Sequence, residues 1–348
     1  MPYLMNTWYA AAWTDEVVPD ALLSRTLLDQ SVLLYRDAGG VAHAIGNRCP
    51  HRFAPLDRGV LNGDAVECGY HGLRFDKTGA CIFNPHGSGR IAANMRVPSW
   101  PLAERHGVLW IWMGEAERAD KDCIVDVSKL VDPTLGVIRG SMRMEAGSEV
   151  VADNLMDLSH TQFLHASYLN AGGFLTAEND DRQEGDTVVT SRRLTNIAAP
   201  PRFAQFMDNP AGPVDHWTRS RWDPPGIIRL DVGVTAVNAP EDLGLRHFGT
   251  HMLTPETATT CHYFYASIRN YRVGDEEADE FMRGWHRTGF GLQDRPMIEA
   301  VQRMMGNAEF TSLHPVLLES DGAALRARSV MRRLIARERS SDSVPVPA

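Results

Sequence analysis

The sequence predicts an α+β protein of two domains, and three observations carry that prediction. Short runs such as Val32-Leu33-Leu34-Tyr35 and Val108-Leu109-Trp110-Ile111-Trp112 alternate with turn residues such as Asp37-Ala38-Gly39-Gly40 and Lys77-Thr78-Gly79. That is the pattern of an all-β domain. Between Gly114 and Asp132 the chain becomes charged and irregular, which places the boundary there and gives domains at 1–120 and 121–348. Beyond it the alternating stretches Thr187–Arg192, Ile227–Val234 and His262–Ser267 predict an antiparallel sheet, and Asp275 to about Met305 reads as a helix with an acidic first turn. The tail from Arg337 is polar and Pro-containing and is expected to fray.

A chain of 348 residues, 43% hydrophobic and 23% charged, has the composition of a soluble globular protein with room for two cores. The formal net charge of −9 argues against nucleic acid or an anionic membrane as partner, since both reward a basic surface. No apolar run reaches the length of a membrane span. Tyr9-Ala10-Ala11-Ala12-Trp13 is too short for a signal-peptide core and has no preceding Lys or Arg, so a cytoplasmic location is expected. Five cysteines are too few for a disulfide scaffold.

Two loops in the first domain, Cys49-Pro50-His51 and Cys68-Gly69-Tyr70-His71, each offer one thiolate and one imidazole. Zinc sites group their ligands as cysteine pairs and histidine pairs. One Cys and one His from each loop instead match a Rieske [2Fe-2S] centre, in which one iron takes both cysteines and the other both histidines. Cys81, Cys123 and Cys261 read as buried thiols, and His43, His86 and His106 as satisfied or surface histidines rather than ligands.

A second constellation, Asp153-Asn154-Leu155-Met156-Asp157-Leu158-Ser159-His160-Thr161-Gln162-Phe163-Leu164-His165, concentrates two imidazoles and two carboxylates. Two histidines joined by one carboxylate from elsewhere make the facial triad that holds Fe(II) with positions open for oxygen. Side chains five apart on an ideal helix point about 140° away from each other. His160 and His165 can therefore share one metal only across a helix end or a π-like distortion, which is expected there.

These loops and this motif, with Asn6-Thr7-Trp8-Tyr9 and Thr254-Pro255-Glu256-Thr257, resemble the Rieske non-heme iron oxygenases over most of the chain. The resemblance is closest to the single-component-oxygenase branch that includes vanillate O-demethylase and dicamba monooxygenase. It implies a second domain built as a helix-grip (START-like) sheet with a long C-terminal helix closing a cavity over the iron. Asp294 occupies the position of the family's iron-binding aspartate, with Glu299 the nearest rival. Asp157 matches an aspartate that bridges a cluster histidine of one subunit to an iron histidine of the next in a head-to-tail homotrimer. Asn154 lies near the iron in the family. Respiratory Rieske proteins carry an extra cysteine in each loop; Ala54 and Tyr70 stand there in this chain. The cluster is thus expected to be of the type fed from NADH by a separate ferredoxin-type reductase, with O2 as co-substrate.

The branch implies an aromatic acid as substrate, hydroxylated at a methoxy group with release of formaldehyde, or at a methyl group. Ring hydroxylation is the alternative, and an iron–sulfur electron carrier or redox sensor is an alternative of another class. An acid group needs a donor in an apolar pocket. His251 is the candidate, Trp285 could stack on the ring, and Arg219, Arg221 and Arg229 are further candidates without a ranking.

Overall fold

A computed structural model describes residues 3–169, 177 and 180–342. The chain divides into two compact units, Met1–Ile124 with Thr254–Thr257, and Val125–Leu253 with Ala258–Ala348.

The first unit is all β. Its described strands form three antiparallel sheets: Trp8–Trp13, Val108–Trp112 and Leu102–Arg105; then Leu23–Leu27, Gln30–Arg36, Ala42–Gly46 and Ser99–Trp100; then Val60–Asn62, Ala65–Glu67, Arg74–Phe75 and Cys81–Phe83. Trp8–Trp13 and Val108–Trp112 are buried along their whole length, which explains runs of apolar residues where a half-exposed strand would alternate. Cys49 and Cys68 are rooted in one core with Leu33, Tyr35, Ile45, Val66 and Phe75. The two loops are built alike. In each, the cysteine N–H bonds the carbonyl five residues on, Ala54 or Leu73, and the cysteine carbonyl accepts from the residue four on, Phe53 or Gly72. That fourth residue must be left-handed, at φ 59° for Phe53 and 71° for Gly72. Cys81 is buried as expected, but Cys123 is exposed on a short 3-10 turn that follows the Asp120 cap, which corrects its reading as a core thiol.

The second unit is a seven-stranded antiparallel sheet in the order Gly136–Met144, Thr260–Arg269, Leu245–Thr257, Ile227–Ala236, Pro213–Asp223, Thr187–Ala198 and Asp180–Glu184. The helix Ser148–Met156 packs on it through Val151, Leu155 and Met156. A second helical stretch begins at Asp275, whose carboxylate accepts from the Glu277 and Ala278 N–H groups, a cap that contributes about 1 kcal/mol. It continues as α-helix Glu276–Trp285, π-helix His286–Asp294 and α-helix Arg295–Met305. Arg269, only 1% exposed, ties this stretch to the sheet through Asp279 at 2.5 Å. The widening has a local cause: Gly289 and Gly291 relax the backbone, and Pro296 has no N–H for the carbonyl four residues earlier.

A further helix, Gly322–Asp342, runs past Arg337, so the expected fraying does not begin there; residues 343–348 lie outside the described residues. This helix is pinned to Ser148–Met156 by Arg328, which holds both Asp153 carboxylate oxygens at 2.9 Å and Glu149 at 2.7 Å. Asp153 is therefore a structural anchor beside the motif. No helix among the described residues is long and apolar enough to cross a membrane.

Candidate metal centres and cavity

In the first unit the two loops bring His51 and His71 together with ring centroids 4.4 Å apart. His71 Nδ1 is buried with no partner, the state of a nitrogen kept for a metal. Burial, with the neighbouring Cys68 thiol adding to it, pushes the Cys49 thiol up to about 11. Such a buried thiol pair becomes a thiolate pair only when a metal compensates the charge. Burial, and then the charges of His51, Arg52 and His86, push the His71 pKa down, which favours the neutral ring that binds iron. His86 is not part of this set: its Nε2 bonds the His71 carbonyl at 2.8 Å. His43 likewise pairs with Asp37 at 2.8 Å. Two thiols from the core and two imidazoles at the surface fit a Rieske cluster.

In the second unit His160, His165 and Asp294 place one ligand atom each within 4.8 Å of one another. The helix breaks earlier than the sequence pattern suggests. It ends at Met156; Asp157 is extended at ψ 107°, and its carboxylate takes the Ser159 N–H at 2.7 Å and hydroxyl at 2.6 Å. His160 and His165 then flank a single turn, Thr161–Leu164, and His165 leaves helical geometry at φ −114°, ψ 24°. The expected helix end is thus found at the histidines, and a π-helix occurs separately in the other helix, where it delivers Asp294 at its last residue.

The other ring nitrogens fix the tautomers. His160 Nδ1 faces the Asp157 carbonyl at 2.6 Å, and His165 Nδ1 faces Gln293 Oε1 at 2.8 Å. Both are acceptors, so each ring carries its proton on Nδ1 and offers a bare Nε2. Those Nε2 atoms stand 3.6 and 3.1 Å from Asp294 Oδ1. Two neutral imidazoles and a carboxylate fit non-heme Fe(II). Burial pushes the His165 pKa down, but Asp294 and Gln293 outweigh it and hold the ring above its ordinary value. Iron must displace that proton, so loading of metal-free protein is expected to weaken as pH falls through this range. Asn154 donates to Asp294 Oδ1 at 3.3 Å while its own Oδ1 is buried without a partner. Glu299, the rival, is engaged elsewhere, by Arg295 at 2.8 Å and the Glu145 N–H at 3.1 Å. Gln293 carries no sequence signal beyond adjacency to Asp294. Gln293→Leu is expected to weaken iron retention by about 10- to 100-fold, the usual loss when a partner behind a metal-bound histidine is removed, measurable as iron content after dialysis against a chelator.

Asn154, Asp157, both histidines and Asp294 line a cavity of about 830 Å³, mouth included. Trp285 meets His165 edge-on at 5.4 Å. Strand parity decides which sheet residues face the cavity. Thr218, Val232 and His247 are paired across three strands and all line it. Arg219, Arg221 and Arg229 fall on the opposite parity and are held outside by Asp231, Glu184 and Asp223 at 3.2, 3.1 and 2.7 Å. They are therefore removed as substrate candidates. His251 does line the cavity: Nδ1 meets the Tyr263 hydroxyl at 2.7 Å, and Nε2 is buried without a partner. Gly249 keeps that nitrogen clear, since a Cβ there would stand 2.7 Å from it.

Sequence reasoning missed Arg202, His216, His247 and His286, all on the cavity wall. His247 and His251 are four apart on one strand and so share a face, a signal available in the sequence. Ser267 Oγ sits between His247 Nε2 at 2.9 Å and His286 Nε2 at 2.5 Å, and both Nδ1 atoms are unpartnered. Burial depresses all four histidines, to about 4 for His216, about 3 for His251 and His286, and well down for His247. They are neutral at pH 7.

A sequence profile of the Rieske [2Fe-2S] domain matches residues 7–101, and one of the vanillate O-demethylase oxygenase C-terminal domain matches residues 144–337. The chain is 39% identical to the oxygenase component of chloroacetanilide N-alkylformylase from Rhizorhabdus wittichii, covering 99% of each. It is 34% identical to the oxygenase component of dicamba O-demethylase from Stenotrophomonas maltophilia, covering 96% of this chain and 98% of that one. The crystal structure of dicamba monooxygenase bound to 3,6-dichlorosalicylic acid superposes with a TM-score of 0.91 at 34% identity, covering 97% of this chain and 98% of the other. The cluster loops, the iron triad and the full-length likeness thus meet in one conclusion: the chain belongs to the Rieske non-heme iron oxygenases, as an oxygenase component carrying a [2Fe-2S] cluster and a mononuclear iron.

Proposed function

We propose that this oxygenase hydroxylates the methoxy carbon of an aromatic acid, giving a hemiacetal that collapses to a phenol and formaldehyde. The observation that carries it is the His160, His165 and Asp294 triad opening onto a cavity with an aromatic wall. Cys49, His51, Cys68 and His71, in a cluster domain at 1–120, hold the cluster; the triad, in a catalytic domain at 121–348, holds the iron. When bound, these groups supply oxygen activation with two electrons delivered from NADH by a separate ferredoxin-type reductase.

The remaining work belongs to the chain. Asp157 and Gln293 hold the two imidazoles in the ligating tautomer. Asn154 holds the Asp294 carboxylate, and Trp285 forms a flat wall beside His165 against which an aromatic ring can lie. His251 offers a donor: the Tyr263 hydroxyl has no other acceptor among the described residues, so it donates to Nδ1 and leaves the ring proton on Nε2, facing the cavity. The exposure of His51 suits electron transfer to the iron of a neighbouring subunit in a head-to-tail homotrimer, bridged by Asp157. A cytoplasmic location suits a reductase fed by NADH.

The test is formaldehyde release from methoxybenzoic acids with NADH, oxygen and a surrogate ferredoxin-type reductase. Formaldehyde equimolar with NADH consumed for one acid is the expected result. A hydroxylated product without formaldehyde moves the chemistry to a methyl or ring carbon.

A further inference from the structure

The catalytic cavity contains a cation with no counter-ion among the described residues. Arg202, in the turn Pro201–Ala204, lines the cavity, and its Nη2 is buried without a hydrogen-bond partner. Its guanidinium stacks over the Phe203 ring at 4.8 Å. Among the described residues no carboxylate lies within ion-pair distance of it, whereas nearby cavity histidines are neutral. Among the described residues the ionisable side chain that favours its charge is Tyr271, and burial raises the pKa of that phenol, keeping it neutral. Burial lowers the Arg202 pKa only to about 10, so the charge persists at pH 7. Arg202 is half-buried as a residue, yet its Nη2 is shut off from solvent, and a charged donor atom held that way without a partner is costly. Its persistence in a cavity calls for an anion that arrives with the ligand.

We propose that Arg202 is the specificity-determining anchor for the anionic group of the substrate, so that this oxygenase selects an aryl carboxylate or sulfonate over an uncharged analogue. The inference rests on the oxygenase reading above and deepens it. His251, neutral and a single donor, supplies direction; Arg202 supplies the charge and a planar fork that fits both oxygens of a carboxylate. His247 and His286 extend the polar wall. Ser267 has one hydroxyl proton for two neutral rings, so one ring donates to it and the other accepts. Their unpartnered Nδ1 atoms are therefore one acceptor and one donor. Relatives do not decide the charge of the substrate. One is named for a chloroacetanilide, an uncharged amide, and another is seen bound to 3,6-dichlorosalicylic acid.

The experiment is anaerobic calorimetric titration of the iron-loaded enzyme with 2-, 3- and 4-methoxybenzoate and toluene-4-sulfonate, against the methyl esters of the three acids and toluene-4-sulfonamide. Wild type is expected to bind at least one anion some tenfold or more tightly than its uncharged counterpart. Arg202→Met should abolish that preference while leaving ester affinity within about twofold, and Arg202→Lys should restore part of it. Cluster absorbance, iron content and Tm are recorded for each variant. A purely structural Arg202 would lower Tm in Arg202→Met without changing the ratio of acid to ester affinity. Equal binding of acids and esters by wild type, failure of every anion to bind, or a preference surviving in Arg202→Met would overturn the proposal. Binding is read without turnover, so an absence of formaldehyde would count against the demethylase reading and not against the anchor.

Discussion

Asp294→Ala protein is expected to purify with the visible spectrum of its cluster unchanged, with mononuclear iron reduced to a trace, and with turnover below detection. Two physical reasons converge on this carboxylate. It is 3% exposed, so no water ligand readily takes its place. Its Oδ1 is the shared neighbour of both His Nε2 atoms and of the Asn154 amide, so its loss removes a ligand and disperses the other two. Without it His165 keeps a single metal-binding companion, His160. Loss of a partner behind a ligand costs about 10- to 100-fold in metal affinity, and loss of the ligand itself should exceed that range. Iron content by mass spectrometry and formaldehyde release check both halves. Full iron with full turnover would mean that another acid completes the site, and Glu299, already engaged with Arg295 and the Glu145 N–H, would be a poor substitute.

The metal sites were legible because their chemistry is local in sequence. Two loops of three or four residues carry all four candidate cluster ligands, and the His160 and His165 spacing already demanded a helix end. The cavity wall was much less so. Arg202, His216, His247 and His286 come from a turn, two strands and a π-helix, and only the tertiary fold, including the sheet register for His216 and His247, brings them to one cavity. Arg219, Arg221 and Arg229 looked as suitable as Arg202 in composition. Strand parity puts these three on the outer face against Asp231, Glu184 and Asp223, whereas Arg202, in a turn outside the sheet, lines the cavity without a counter-ion among the described residues. Of the two forms expected at the histidines, the helix end is found there, with His165 leaving helical geometry, and the π form is not. The sequence pattern demanded a distortion near the metal, but the glycines and Pro296 that permit it lie in the helix bearing the carboxylate.

Asp157→Asn should keep both metal centres and lose about 100-fold or more of its turnover, because the substitution preserves shape and removes charge. The Ser159 contacts can be made by an amide oxygen, so the local turn should survive. What disappears is the negative charge 3.9 Å from His160 Nδ1, on a side chain that remains partly exposed. If Asp157 were only a turn former, this isosteric change would be nearly silent, with an effect within about 0.5 kcal/mol on stability and none on rate. If it links imidazoles across subunits, the cluster will be reduced normally and will fail to reoxidise when substrate and oxygen are added, which stopped-flow absorbance resolves. Subunit mixing separates an inter-subunit route from an internal one. Co-expressed Asp294→Ala and Cys68→Ser chains each lack one centre, and neither alone should turn over. Assemblies containing both should regain activity if electrons cross from the cluster of one chain to the iron of the next, and should stay silent if each chain must use its own pair.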